Sequence, residues 1–412
     1  MKYCGNLRKA KENGYVILNN ASIGSWIKLT EECYEYVNEC IEKGIAEEQY
    51  LKNFEEKSAH YMNELFGKLR RLGIVDMDVN PKLVSAEIAV TPKCNLKCKH
   101  CCNAEMEKLE EANKEDLINA IEQLYNAGIK ELTITGGEPL MRNDFCELGI
   151  YARKKFERLY LMSNATMITE DNVVFIANNF DGISISLDGF DQNSCEKIRG
   201  AGVFERIKKA VGLLKKENVK EISLSSVINT HNMGKEDEFE DLCRQWGVRP
   251  IIRRYAPVGR GKENSKELFS SMFMYEENES VNNLEKKALT MGSAENNGTT
   301  VCNAFKSGIY IGSDLCIYPC GALNLTEFKG DNILEIENLA EYFEQEKYIQ
   351  TDAYKRYCSI KPENAHYCKG CSVYMFCNDC PAYIYLYHKY GYFDNYCKIQ
   401  KKMLKEEIYG CN

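Results

Sequence analysis

Three cysteines spaced C-x3-C-x2-C, Cys94, Cys98 and Cys101, stand in the stretch AVTPKCNLKCKHCC, directly after an apolar run that reads as a strand. Three thiolates delivered by one short loop can hold three irons of a cubane iron–sulfur cluster and leave the fourth open. An open iron can bind and reduce a second molecule, whereas a fully ligated cluster mainly relays electrons. A zinc ribbon would pair two C-x2-C modules, which this spacing does not. Redox or radical chemistry is therefore expected. Cys102 follows directly and is expected to be a buried small thiol, since a fourth ligand would close the iron.

A second group lies near the C-terminus. Ten of the 20 cysteines fall between Cys302 and Cys411, four between Cys94 and Cys102, and the long middle stretch has only Cys146, Cys195 and Cys243. The segment CKGCSVYMFCNDC is C-x2-C-x5-C-x2-C, and cysteines so close together need a metal or disulfides. By itself it fits zinc or an iron–sulfur cluster. A secreted disulfide framework is not expected. The N-terminus MKYCGNLRKAKENGY has no apolar signal core, and 412 residues can bury a large core without disulfides. A reducing cytoplasm, where thiols stay free for iron, is the expected location. The net charge of −8 argues against a general nucleic-acid surface, and no apolar run reaches the eighteen or so residues of a membrane span.

These thiols must be positioned by a scaffold. Between residues 85 and 258 the apolar runs SAEIAVTP, KELTITG, RLYLMSN, GISISLDG, EISLSSVIN and PIIRRYAP alternate with helical patterns such as KEDLINAIEQLYNAG and FERIKKAVGLLKKENV. Asn113 or Lys114 gives a helix start and Gly128 a stop. Alternation of strand and helix implies an α/β fold with a parallel sheet, and six units predict a partial, TIM-like (β/α)6 barrel. Ligands bind such folds at the C-terminal ends of the strands. There lie the cysteine loop, the turn Gly136-Gly137-Glu138-Pro139-Leu140, Ser163-Asn164, Ser186-Leu187-Asp188-Gly189 and the stretch from Ser225 to Asn229. The paired glycines are expected to let backbone approach a ligand, and Glu138 and the turn carbonyls to accept from an ammonium group.

With C-x3-C-x2-C, GGEP and SLDGF…KIRG in order, residues 86 to 262 resemble the radical S-adenosylmethionine superfamily. The resemblance implies that Cys94, Cys98 and Cys101 bind a 4Fe–4S cluster whose open iron takes the amine and carboxylate of S-adenosylmethionine. Reductive cleavage would then yield a 5′-deoxyadenosyl radical. It further implies that Gly136, Gly137 and Glu138 contact the methionine amine, that Ser186, Asp188 and Arg199 reach ribose and carboxylate, and that Asn164 ends the third strand of the site. His100 would stand where the family usually has an aromatic near adenine.

The C-terminal cysteines resemble the SPASM extension, which implies two auxiliary 4Fe–4S clusters. Cys368, Cys371, Cys377 and Cys397 would hold the distal one. Cys302, Cys320 and Cys380 would hold the nearer one, with Cys316 the first candidate for a fourth ligand, Cys358 the next and substrate a third. Three departures stand out: Leu315 replaces a glycine, the last spacing is x2 rather than x3, and Gly321 follows Tyr318-Pro319-Cys320 where sulfatase-maturing relatives carry an aspartate base.

Residues 1–82 carry no chemistry of their own. GYVILNNASIGSWIKL reads as a hairpin about Asn19-Asn20, Thr30 as the cap of a helix, and NFEEKSAHYMNELFGKLRRLGIV as a further helix. The arrangement resembles the winged-helix domains that grip a leader peptide by strand addition, with a plain capping extension as the other reading. The expected organisation is thus a winged-helix-like domain at 1–82, the barrel at 83–262, a linker at 263–300 and a SPASM domain at 301–412. Together these predict a peptide maturase that crosslinks a ribosomally made precursor, most plausibly through a thioether, with a flavodoxin- or ferredoxin-type electron donor. A sulfatase-type formylglycine-forming enzyme, a non-catalytic iron–sulfur carrier and a zinc adaptor are the rivals.

Overall fold

The computed structural model describes residues 1–77, 82–269, 301–377 and 380–410. Asn13 and Gly14, both at positive φ, turn the chain between β1 (Leu7–Glu12) and β2 (Tyr15–Asn20). That is the conformation a two-residue hairpin demands, and Asn-Gly supplies it cheaply. Asn19 and Asn20 close β2 rather than forming the next turn, which falls at residues 21–25 before β3 (Trp26–Thr30). The order β1-β2-β3 is antiparallel throughout. Thr30 caps α1 (Glu31–Glu42) by accepting from the Cys33 amide at 3.2 Å. Helices α2 (Glu47–Leu51) and α3 (Glu56–Arg71) follow. Val16, Leu18, Ile27 and Leu29 pack with Val37, Leu65, Phe66 and Leu69 into a core separate from the main one.

All six expected strands form: β4 (Ser85–Ala89), β5 (Glu131–Thr135), β6 (Arg158–Ser163), β7 (Gly182–Ser186), β8 (Glu221–Val227) and β9 (Arg249–Arg253), each parallel to the next. Between them run α4 (Lys114–Asn126), α5 (Phe145–Arg153), α6 (Glu170–Asn179), α7 (Gln192–Arg199), α8 (Val203–Lys216) and α9 (Glu236–Trp246). Asn113 accepts from the Asp116 amide at 2.9 Å and Gly128 turns out of α4 at φ +82°. Leu117, Ala120, Ile121 and Leu124, one stripe of α4, bury against Ile88, Leu132 and Ile134.

The alternation in SAEIA, ELTIT and GISIS has two destinations. Its apolar members face the helices. The others, with Tyr160, Ser223 and Arg253, line a cavity of about 1230 Å³ that takes Glu87, Thr133 and Ser184 from successive strands. One cavity walled by six strands means that the sheet curls around a lumen. Two further strands extend it. The strand β10 (Gly308–Ile311) runs parallel beside β4, and β11 (Ile317–Tyr318) returns antiparallel. In the turn between them Leu315 sits at φ +59°, the left-handed conformation that suits the glycine it replaces.

Short helices α10 (Arg260–Glu263) and α11 (Ser265–Leu268) follow β9, so the expected linker begins as helix; residues 270–300 lie outside the described residues. The C-terminal region adds α12 (Leu339–Glu344), α13 (Asp352–Ser359), α14 (Pro381–Lys389) and α15 (Phe393–Tyr409). The second face of the N-terminal sheet rests on it: Ala10 and Ile17 pack with Val373, Met375, Phe376, Ile408 and Tyr409. Arg8 pairs with Glu363 at 2.9 Å, Glu12 contacts Ser372 and Lys405, and Lys28 donates to the Ile408 carbonyl at 2.9 Å. Among the described residues no helix is long and apolar enough to cross a membrane.

Candidate functional site

The cysteine loop leaves β4 and is pinned from three sides. Arg142, clamped by both oxygens of Asp144 at 2.8 Å, donates to the Val90 and Ala112 carbonyls at 2.9 Å and so fixes both ends of the loop. The Lys99 amide donates to the Ile198 carbonyl at 2.9 Å. From beyond β9, Arg260 donates through Nε to the Cys98 carbonyl (3.0 Å) and through its amide to the Cys101 carbonyl (3.1 Å), while Asn264 Nδ2 donates to the Lys99 carbonyl (3.0 Å). Gly259 lies at φ +55°, and a Cβ there would stand 2.7 Å from the Cys101 carbonyl oxygen. Arg142, Arg260 and Asn264 belong to no motif singled out in the sequence. The GRG…N stretch was legible only as the end of a strand region.

The glycine pair of the GGEPL turn serves this loop. A Cβ on Gly137 would lie 2.1 Å from the Lys93 carbonyl oxygen, and one on Gly136 2.5 Å from that of Thr91. The close approach they permit is therefore between two stretches of the chain itself. Glu138 is fully buried, and its carboxylate accepts from Ser163 Oγ (2.8 Å), the Asn164 amide (2.7 Å) and the Leu140 amide (3.2 Å). It ties the ends of β5 and β6 together, and the Glu138 and Pro139 carbonyls accept from the Met141 and Arg142 amides, which leaves those of Gly136 and Gly137 to meet an ammonium. Burial raises its pKa against the pull of those donors.

The remaining site residues converge as expected. Asn164 Nδ2 donates to Asn95 Oδ1 at 2.8 Å and reaches Cys94 Sγ at 3.8 Å. Asp188, at φ +60° and 1% exposed, sets Oδ2 2.5 Å from Arg199 Nη2 and 2.7 Å from His100 Nε2, and its Oδ1 accepts from the Val227 amide at 2.7 Å. Arg199 Nη1 lies 3.7 Å from Cys98 Sγ. Ser186 stands half-buried at the end of β7. Two polar atoms of this cluster, His100 Nδ1 and Arg199 Nε, are buried without a hydrogen-bond partner. Burial alone would raise the Asp188 carboxyl, yet Arg199 and then His100 hold it well below the usual carboxylate range. Burial raises all three thiols, Cys101 to about 12, while Arg199 and Arg260 pull Cys98 down. Iron would reverse that balance, because a coordinated thiol loses its proton.

Two further thiol groups form in the C-terminal region. Cys368, Cys371, Cys377 and Cys397 line one cavity of about 80 Å³. Burial first, then the other three thiols, push Cys368 to about 12. Cys302 and Cys380 are the thiols that act on Cys320, and buried Tyr357 donates to Cys302 Sγ at 3.1 Å. Cys316 is placed elsewhere: its thiol contacts the Asp314 carbonyl at 3.6 Å, and Asp314 and Lys329 are its charged neighbours. Cys358 faces Tyr348 and Tyr354. The shortened x2 spacing falls on residues 378 and 379, outside the described residues. No disulfide joins the described cysteines, and no three described His, Cys, Asp or Glu side chains close on a point as a single metal ion requires. A cubane cluster seats each thiolate on a different iron, so its cysteines stand further apart.

Between the first loop and the Cys302 group stand Tyr310 and Tyr383. Contrary to expectation, Cys102 is not a core thiol: its surface is exposed although protein encloses it, the geometry of a group facing an internal space. Tyr310 and Tyr383 each feel Cys102 on one side and Cys320 on the other. Tyr310 Oη is buried without a partner. Glu87 Oε2 lies 3.9 Å from where a Cβ on Gly321 would be, so a carboxylate from β4 reaches the place where Gly321 offers none.

A loop of three thiols at the end of a first strand, joined to polar groups from the next four strand ends, marks the class. Residues 88–245 match the Radical SAM superfamily, and the chain carries a domain of that family. Its relatives include a mycofactocin maturase, MftC, of Mycolicibacterium smegmatis, 29% identical over 176 residues that span 42% of this chain and 45% of that protein. An AdoMet-dependent heme synthase of Nitratidesulfovibrio vulgaris is 32% identical over 195 residues, 46% of this chain and 52% of that one. The chain thus spans about half the length of the curated relatives it matches. Among solved structures, Streptococcus suis SuiB bound to S-adenosylmethionine covers 93% of this chain and 98% of its own at a TM-score of 0.52 and 18% identity. The structure of anSMEcpe with bound AdoMet covers 78% and 100%, at 0.52 and 19%. These two show the fold.

Proposed function

We propose that this protein is a radical S-adenosylmethionine maturase that crosslinks a ribosomally made peptide. The carrying observation is the convergence at one end of the sheet of the Cys94, Cys98 and Cys101 loop, the Asp188–Arg199–His100 cluster and, across Tyr310 and Tyr383, the Cys320 and Cys380 thiols. When bound at those three cysteines, a 4Fe–4S cluster and S-adenosylmethionine supply a carbon radical that removes a hydrogen atom from substrate. Arg199 and Asp188 fix the mouth of that site, His100 and Arg199 each keep a free buried N–H or ring nitrogen for a ligand, and the Gly136 and Gly137 carbonyls would meet its ammonium. Cys368, Cys371, Cys377 and Cys397 would hold a distal auxiliary cluster. Cys302, Cys320 and Cys380 would hold a nearer one, with a fourth position that Cys316, beside Asp314, is poorly placed to fill.

Forming a C–S bond from C–H and S–H removes one hydrogen atom, taken by the carbon radical, one proton, and one electron, which a cluster held by Cys302, Cys320 and Cys380 would accept. Glu87 takes the proton in this reading: its carboxylate is enclosed by the lumen, burial raises its pKa, and Arg253 is the cation that opposes the rise. The substrate is then a peptide with a thiol. Its leader pairs with the outer edge of β3, since on β1, the other edge strand, the Lys9 backbone is already engaged by Tyr374. In support, SuiB has been solved bound to its precursor peptide SuiA. Cover of this chain also rises from 78% with anSMEcpe to 93% with SuiB, a gain about the size of the N-terminal domain.

The test is anaerobic reconstitution with iron and sulfide, an assay of 5′-deoxyadenosine under dithionite, and coexpression with a short cysteine-containing peptide encoded beside the gene. About twelve irons, 5′-deoxyadenosine, and a peptide that loses two hydrogens together with its free thiol are expected. Glu87→Gln should keep 5′-deoxyadenosine formation and lose most of the crosslink. A peptide that instead gains a hydrazide-reactive aldehyde assigns the chain to formylglycine formation, and no 5′-deoxyadenosine at all overturns the reading.

A further inference from the structure

The four-thiol cavity contains a donor that the protein leaves unsatisfied. Gln400, on α15 one turn after Cys397, is 4% exposed and lines the cavity. Its Nε2 is buried without a hydrogen-bond partner, and so is the hydroxyl of Tyr367 in the same wall. A buried amide left unpaired gives up its bonds to water with nothing in return. Ile384, Phe393 and Leu404 of the same wall are apolar and offer no acceptor, and Lys369 and Lys401 can only donate. Both orphans can donate. The sulfurs of an iron–sulfur cluster accept only, so turning the Gln400 amide over would bring oxygen against acceptors; the NH2 is the group that fits.

We infer that Gln400 donates an N–H···S hydrogen bond, and Tyr367 an O–H···S bond, to a 4Fe–4S cluster held by Cys368, Cys371, Cys377 and Cys397. The inference rests on the reading that this cavity takes a cluster. A cluster becomes more negative on reduction, so donors to its sulfurs favour the reduced state and raise its potential. Gln400 is thus a positioning residue of the cluster. Its contribution is electrical rather than mechanical.

The experiment is a redox titration of the full-length reconstituted protein followed by electron paramagnetic resonance, the distal signal being the one lost in Cys371→Ala. Gln400→Met keeps the volume and removes the donor. It should leave the iron content unchanged and shift only that signal, lowering the reduced-to-oxidised ratio at fixed potential about tenfold, or about 59 mV for one electron. Tyr367→Phe keeps the ring that stacks on His388 at 4.2 Å and should shift the same signal in the same direction by less. An unmoved midpoint in both variants, with iron intact, overturns the inference while the cluster stands. If Cys371→Ala removes no iron and no signal, the cluster reading itself is what has failed.

Discussion

The three-cysteine loop and the four-cysteine cavity both gather thiols from a short run of chain, and their surroundings are opposite. Around Cys94, Cys98 and Cys101 stand Arg199, Asp188, His100 and Arg260, with buried polar atoms left unpaired. Around Cys368, Cys371, Cys377 and Cys397 stand Ile384, Phe393 and Leu404, with Gln400 and Tyr367 as buried donors but no buried ion pair among the described residues, in a cavity of about 80 Å³. Charged groups in a low-dielectric mouth can orient a second charged molecule. A cavity of about 80 Å³ leaves no room for that molecule beside a cluster. The lesson is that cysteine spacing says where metal can go, whereas the neighbours say whether anything else may join it.

The sharpest break of this comparison is to remove the first thiol group alone. Cys94, Cys98 and Cys101 all changed to Ala should abolish 5′-deoxyadenosine formation and lower iron by about a third, leaving the signals of the C-terminal groups intact. Equal loss from all groups would mean that the regions do not fill independently. Next comes the charge at the mouth. Asp188→Asn leaves Arg199 uncompensated and should cost about 3 kcal/mol in urea unfolding at neutral pH. The native Asp188 carboxyl lies below its unfolded value of about 3.9, so its contribution is complete above that pH and is lost as pH falls through the lower, folded value. The variant's urea midpoint should therefore fall less steeply than the wild type's below about pH 4. A parallel fall in the two proteins would count against the pair. The smallest effect belongs to the intermediate group. Tyr357→Phe removes the hydroxyl on Cys302 and should lower stability by about 1 kcal/mol, without altering 5′-deoxyadenosine formation.

Much of the scaffold was legible because its strands obey a simple rule. In SAEIA and GISIS every second residue is apolar and faces helices, so length and alternation were enough. The strand β1, LRKAKE, escaped because only Ala10 in it is buried; pairing with β2 and the contacts of Arg8 and Glu12 hold it instead. Its Asn13-Gly14 turn was the available signal. The strands β10 and β11 are four and two residues long and exist by pairing with β4, which no local pattern announces. At the site, the motif residues came together. The groups that pin them, Arg142, Arg260 and Asn264, act on backbone carbonyls, and a carbonyl leaves no trace in the sequence of its partner. Glu87 was hidden for another reason: its relation to Gly321 spans more than two hundred positions and appears only when β4 and β10 lie side by side.

The short loop from Cys371 to Cys377 answers to two masters. Its ends wall the four-thiol cavity, while Val373, Met375 and Phe376 between them form the seat of the N-terminal sheet. Trp26 meets Phe376 edge-on at 4.8 Å. Five residues therefore have to serve a thiol-lined cavity on one flank and a foreign β-sheet on the other, and inserting or deleting one of them would throw both out of register. The C-x5-C interval is fixed twice over, which leaves it little freedom to drift even where the thiols alone would tolerate a longer arc.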